Sequence, residues 1–174
     1  KGGLVFYGGL IGASLAGILY ARIKKIALWK LADVLAPSIP LGYVFGRIGC
    51  FLNGCCYGRS CDLPWAVSYP QGNINGAPTF PVHPTQLYDS LLSLFLYIGL
   101  AWLYRRKKFD GQVFAAYLLC YAVTRSIVES FRGDYSPRHI HWFNLTPGQL
   151  VSMGIFAAGI GMWAMLRRFQ AKQA

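Results

Sequence analysis

The 174 residues are 55% hydrophobic, 16% aromatic and only 13% charged, with a formal net charge of +11 and a mean hydropathy of +0.37. A soluble domain of this length rarely looks so apolar. The positive charge invites a nucleic-acid partner, but the basic residues stand in short clusters beside apolar runs and nothing in the chain would present a groove, so no nucleic acid is expected; membrane topology and anionic lipid account for the charge.

Apolar stretches long enough to cross a hydrocarbon core of about 30 Å occur at residues 4–21, 28–52, 87–104, 112–131 and 148–166. Backbone groups inside lipid must bond within their own segment, so these runs read as helices and the fold as an all-α polytopic membrane protein of about five spans. Arg22, Lys24, Lys25 and Lys30 follow the first run, Arg105, Arg106, Lys107 and Lys108 the third, and Arg167, Arg168 and Lys172 the fifth. Alternate threading puts all three clusters on one side, the cytoplasm by the positive-inside tendency, with the C-terminus beside it. The long segment 53–86 and the segment 132–147 then lie at the outer face. No internal repeat is visible, and residues 1–174 read as one transmembrane domain. The chain opens on Lys1-Gly2-Gly3 and runs almost at once into a span that starts outside, so further helices are expected upstream.

Charged residues inside spans need a reason, since each costs roughly 2.5–3.5 kcal/mol near the bilayer centre. Arg125, Glu129 and Arg132 fall at i, i+4 and i+7, on one face of the fourth span. By themselves they read as a packing ion pair or as part of an anion site. Arg47, in Gly46-Arg47-Ile48-Gly49 near the outer end of the second span, adds a second intramembrane arginine with few carboxylates nearby, and two such residues on different helices point to an anionic ligand. A guanidinium fork matches phosphate oxygens and keeps its charge when desolvated. The segment Asn53-Gly54-Cys55-Cys56-Tyr57-Gly58-Arg59 has glycines that allow backbone N–H groups to converge on an anion. In His83-Pro84-Thr85-Gln86-Leu87-Tyr88-Asp89, Pro84 suits a first helical turn and sets Gln86 and Tyr88 at the interface.

Together these stretches resemble one family, the prolipoprotein diacylglyceryl transferases of bacterial inner membranes. The likeness runs from Lys1-Gly2-Gly3-Leu4-Val5-Phe6-Tyr7-Gly8-Gly9-Leu10 through the Arg47, Asn53 and Gly58-Arg59 segment and His83–Tyr88 to Arg125-Ser126-Ile127-Val128-Glu129 and Arg132-Gly133-Asp134. The resemblance implies transfer of the diacylglyceryl group of phosphatidylglycerol to the lipobox cysteine of a preprolipoprotein, with no metal and no cofactor. It implies catalytic roles for Arg47, Arg125, Glu129 and Tyr7. It also implies a substrate pocket formed by Arg47, Asn53, Gly58, Arg59, His83, Gln86, Tyr88 and Arg132. The chain departs from the family pattern at Tyr7, where many members carry His, which leaves His83 as an alternative base. It departs again at Cys50 and Cys55, where many carry Asn and Glu.

Those cysteines open a second reading. Cys50, Cys55, Cys56 and Cys61 form a Cys-x4-Cys-Cys-x4-Cys pattern that reads as a metal or redox cluster, as a disulfide between Cys61 and one of the adjacent pair, or as small-residue packing. A lipid transporter is a third class, disfavoured by the absence of repeated halves. Arg138, His139 and His141 before Trp142 read as a solvated interfacial loop, and Cys120 as packing.

Overall fold

The computed structural model describes residues 2–70, 78–132 and 146–171, and Arg138, His139, His141 and Trp142 lie outside them. The described chain forms helices α1 (Gly2–Ile23), α2 (Leu28–Leu35), α3 (Ser38–Leu52), α4 (Thr85–Arg106), α5 (Gln112–Phe131) and α6 (Pro147–Ala171). No strand forms among the described residues, only isolated bridges that pair Gly58 with Arg132 and Val82 with both Ser60 and Val67. Neighbours pack in the order α3, α4, α5, α6, with α2 laid against α5.

Among the described residues, four segments are long and apolar enough to cross a membrane: Leu28–Leu52, Thr85–Arg106, Gln112–Phe131 and Gly148–Gln170. They match four of the five expected spans. The first expected span is helical over the 22 residues of α1, although its described apolar part, Ile11–Ile23, is shorter. The second expected span is divided. Pro37 has no N–H to offer the Asp33 carbonyl and Pro40 none for Ala36, so the helical ladder lapses between α2 and α3. Ala36 (φ −53°, ψ −43°) and Pro37 (φ −68°, ψ −28°) keep helical angles, so the axis continues while the bonds do not.

Polarity is arranged as lipid requires. Phe45, Leu52, Phe95, Trp102, Val151 and Phe169 are exposed, whereas Asp33, Gln86, Asp89, Gln112, Glu129 and Ser152 are buried. A soluble protein would show the reverse.

One of those buried groups fastens the end of the bundle that carries the basic clusters. Gly111 adopts φ 90°, ψ −2° and starts α5 without a side chain to cap it. Asp33 of α2, 0% exposed, supplies the cap from another helix. Its Oδ1 accepts the N–H groups of Val113 (2.9 Å) and Phe114 (3.1 Å), and its Oδ2 that of Gly111 (2.9 Å). A carboxylate here meets both the free donors and the positive end of the helix dipole. Lys107 Nζ closes the arrangement, 2.9 Å from Asp33 Oδ2 and 2.8 Å from Asp110 Oδ1. Burial works against the lysine's charge, but the bonds to Asp110 and Asp33 outweigh it and hold its pKa above the ordinary value. Gln170 of α6 joins the same end, accepting the Asp110 N–H at 3.0 Å.

Candidate active site

At the opposite end, α3, α4 and α5 bring charged side chains to one place. Arg47 on α3 sits with Nη2 2.7 Å from Asp89 Oδ2 on α4, both side chains largely buried. Tyr43, one turn before Arg47, accepts hydrogen bonds from its Nε (2.8 Å) and its Nη2, and donates to Asp89 Oδ2 at 3.3 Å. On α5, Arg125 Nη2 lies 2.7 Å from Glu129 Oε2. Arg125 and Arg132 lie within electrostatic reach of Asp89, so the arginines of α3 and α5 share one field.

The pairing of Arg125 with Glu129 follows the i, i+4 reading, whereas the carboxylate beside Arg47, Asp89 of α4, was not expected. Asp89 and Tyr43 were missed as site residues. Asp89 ends the His83–Asp89 motif, and Tyr43 stands at i−4 from Arg47, a spacing that places the two on one helical face. Those were the available signals.

Glu129 is 1% exposed, and two neighbours hold it. Thr146 Oγ1 donates to its Oε1 at 3.3 Å. Gly148, at the start of α6, lies so close that an added Cβ would collide with the carboxylate. Arg125 Nη1, by contrast, is buried and has no hydrogen-bond partner among the described residues. A buried guanidinium donor is costly to leave unmade.

The described parts of the segment between α3 and α4, residues 53–70 and 78–84, brace these helices. Gly58 N–H donates to the His83 carbonyl (2.9 Å), His83 N–H to the Arg59 carbonyl (2.9 Å) and Arg59 N–H to the Phe131 carbonyl (3.0 Å). Arg59 Nε adds a bond to the Arg132 carbonyl at 3.0 Å. Gly58 is thereby wedged between the starts and ends of other elements: an added Cβ would lie 2.7 Å from His83 Cβ, Phe131 O and Thr85 Cγ2. Gly58 thus serves close packing. Gly58→Ala is expected to lower stability by roughly 1–3 kcal/mol through forced displacement of this brace, read as a lower midpoint of thermal unfolding in detergent, while Gly8→Ala, in open space within α1, does not lower it.

Other expected site residues fall into separate places. Gln86, 0% exposed, donates from Nε2 to the Cys55 carbonyl (2.7 Å) and to Tyr69 Oη (3.1 Å), so it supports the loop. Asn53 caps α3, its N–H bonded to the Gly49 carbonyl at 3.0 Å. His83 and Tyr88 meet at 3.3 Å, and Trp65 Nε1 donates to Tyr88 Oη at 2.8 Å. These three rings line a cleft of about 500 Å³ with Leu63, Leu91, Leu92, Phe95, Ile127, Val128 and Phe131. Tyr88 and Asp89 are consecutive on α4 and point about 100° apart, so the apolar cleft and the arginine cluster are adjacent but distinct. Tyr7 lies on α1, and its side chain is outside the described residues.

The cysteines do not form the expected four-residue cluster. Cys50, Cys55 and Cys56 gather, with their sulfurs within 4.8 Å of one another. Cys61 is drawn away by its N–H bond to the Pro81 carbonyl (3.2 Å). All five cysteines are free thiols, so of the three readings the Cys61 disulfide is not formed. Burial, then the neighbouring Cys56 and Cys50, pushes the Cys55 thiol up to about 11.

These features define a polytopic α-helical membrane protein that gathers arginines and carboxylates at one end of its bundle. Comparison with known proteins is specific: the model of the family described as prolipoprotein diacylglyceryl transferase matches residues 1–165, and the chain belongs to that family. Three relatives are each named phosphatidylglycerol–prolipoprotein diacylglyceryl transferase. The one from Sinorhizobium medicae is 42% identical, covering 100% of this chain and 61% of the relative. That from Idiomarina loihiensis is 38% identical over 92% of this chain and 59% of the relative. That from Geobacter sulfurreducens is 38% identical over 97% and 63%. The chain thus spans about three-fifths of the length of the curated relatives it matches.

Proposed function

We propose that this protein transfers the diacylglyceryl group of phosphatidylglycerol to the lipobox cysteine of a preprolipoprotein. The observation that carries the reading is the paired-arginine cluster, in which Arg125 holds a buried Nη1 that has no partner among the described residues. Arg47 pairs with Asp89 and Arg125 with Glu129, and Arg125 and Arg132 also act on Asp89. A phosphodiester headgroup is an anion whose oxygens suit guanidinium donors of this kind.

In the transfer, the thiol sulfur forms a bond to the glyceryl carbon while the bond from that carbon to the phosphate oxygen breaks, and glycerol phosphate leaves. The thiol proton passes to a base. The phosphate gains negative charge as the bond breaks, so donors fixed before the reaction stabilise the transition state more than the ground state. Arg47 and Arg125 supply those donors. Asp89 with Tyr43 fixes the first and Glu129 the second, so neither has to be ordered when the lipid arrives. Arg132 adds charge at the rim, with Asn53, Gly58, Arg59 and Gln86 holding the loop that bounds the pocket. His83 and Tyr88, in the apolar cleft, meet the apolar part of a substrate, and Tyr7 and His83 are the candidates for moving the proton.

The three basic clusters share the end opposite the arginine site, which supports an inner-membrane orientation with that end and the C-terminus cytoplasmic and the site facing outward. Residues 1–174 act in this reading as one transmembrane domain.

The test uses membranes containing the product of the whole gene, phosphatidylglycerol and a lipobox peptide with a single cysteine. A peptide gaining one diacylglyceryl mass, dependent on Arg47 and Arg125, is the expected result. An inserted, folded protein that adds no mass would overturn the reading.

A further inference from the structure

The thiol group beside Arg47 has no task in the transfer chemistry, because the attacking sulfur belongs to the substrate. Cys50 closes the last turn of α3, and Cys55 and Cys56 follow in the loop that returns over it. Two features hold the return. Gly54 (φ 68°) and Cys56 (φ 63°) both take left-handed backbone conformations, costly for a residue with a side chain. The Cys55 N–H also bonds the Cys50 carbonyl at 3.1 Å. Helix α4 then fixes the loop from outside, as Gln86 Nε2 donates to the Cys55 carbonyl (2.7 Å) and Thr85 Oγ1 to that of Cys56 (2.8 Å). The three sulfurs are thus placed by backbone bonds and buried side chains, and all lie within 4.8 Å of one another.

Three sulfurs each about 2.3 Å from one ion in a plane stand about 4 Å apart, so modest side-chain rotation completes the set. Among the described residues no histidine or carboxylate joins the group. A structural zinc site takes four ligands, whereas soft thiolates select Cu(I), which accepts fewer. From this geometry we infer that Cys50, Cys55 and Cys56 form a three-thiolate site for a soft monovalent cation, Cu(I). On binding, three S–H protons pass to solvent, three Cu–S bonds form, and no electron moves. The resulting cluster carries a net charge of −2, and Arg47, within electrostatic reach of Cys56, offsets part of it. Asn53 Nδ2, 4.0 Å from Cys55 Sγ, points a donor at that sulfur.

The test is titration of the intact, reduced protein in detergent under anaerobic conditions with Cu(I) held by a competing chelator. The expected result is one copper per chain with ultraviolet sulfur-to-copper absorption, lost in Cys55→Ser and Cys56→Ser but kept in Cys61→Ser and Cys120→Ser. A second measurement needs no variant: bound copper should protect Cys50, Cys55 and Cys56 from alkylation while Cys61 and Cys120 label freely, as read by peptide mass. Uniform labelling, copper retained without Cys55 and Cys56, or retention of zinc in preference to copper would each overturn the assignment. Because the readout is copper and thiol labelling, it stands or fails independently of transferase activity.

Discussion

Arg125→Ala is expected to abolish diacylglyceryl transfer, by at least about 10²–10³-fold, the usual cost of removing one preorganised donor from a developing anion. The substitution deletes the buried Nη1, which has no partner among the described residues, and breaks the 2.7 Å contact with Glu129. The second loss complicates the first, because a carboxylate 1% exposed is left without its counter-charge, which is strongly destabilising by itself. The double variant Arg125→Ala/Glu129→Gln separates the two effects. It removes the stranded charge, so thermal stability should recover while transfer stays lost. Recovery of transfer in the double variant would mean that Arg125 serves only to neutralise Glu129, and the anion-binding role would fall. Arg125→Lys keeps the charge without the fork and should show partial activity.

Asp33→Ala should produce the largest loss of stability among single substitutions at the basic end of the bundle, roughly 3–5 kcal/mol by analogy with broken buried pairs. It strips the N–H groups of Gly111, Val113 and Phe114 of their acceptor and leaves Lys107 with Asp110 alone. A fall in unfolding midpoint on the order of 10 °C follows for a chain of this size. Asp33→Asn, which keeps an acceptor but loses the charge, should fall between. Equal stability of Asp33→Ala and the parent would show that water caps α5 as well as the carboxylate does.

Local relations were legible in the sequence and distant ones were not. The spans followed from apolar run length, since lipid demands it residue by residue. Arg125 and Glu129 were readable as a pair because one helix carries both at i and i+4. Arg47 and Asp89 belong to different helices, and only the packing of α3 on α4 reveals that they meet. The Asp33 cap spans 74 to 81 residues and left no local pattern beyond a single acid in an apolar run. The division of 28–52 was written in Pro37 and Pro40, whose missing donors act locally, yet the length of the run outweighed them. Linear spacing misgrouped Cys61 because spacing carries no information about the loop's turn toward Pro81. His83 and Tyr88 sit in one motif with Gln86 and Asp89, but His83 precedes α4 and the other three take different faces of it, so they meet different surroundings.

The Asp33 cap also has a consequence for the order of assembly during synthesis. Its partners are made 74 to 81 residues later, which at about 5–20 residues per second is a delay of roughly 4–16 s. Throughout that interval the acid has neither Lys107 nor the donors of α5, and lipid offers no substitute. Helix α2 therefore settles into its final depth late, after the turn between α4 and α5 has left the ribosome. Ribosome-stalled chains of increasing length would date the event: shielding of the Asp33 neighbourhood from an aqueous label should begin only once Phe114 has emerged, and shielding in shorter chains would disprove this order.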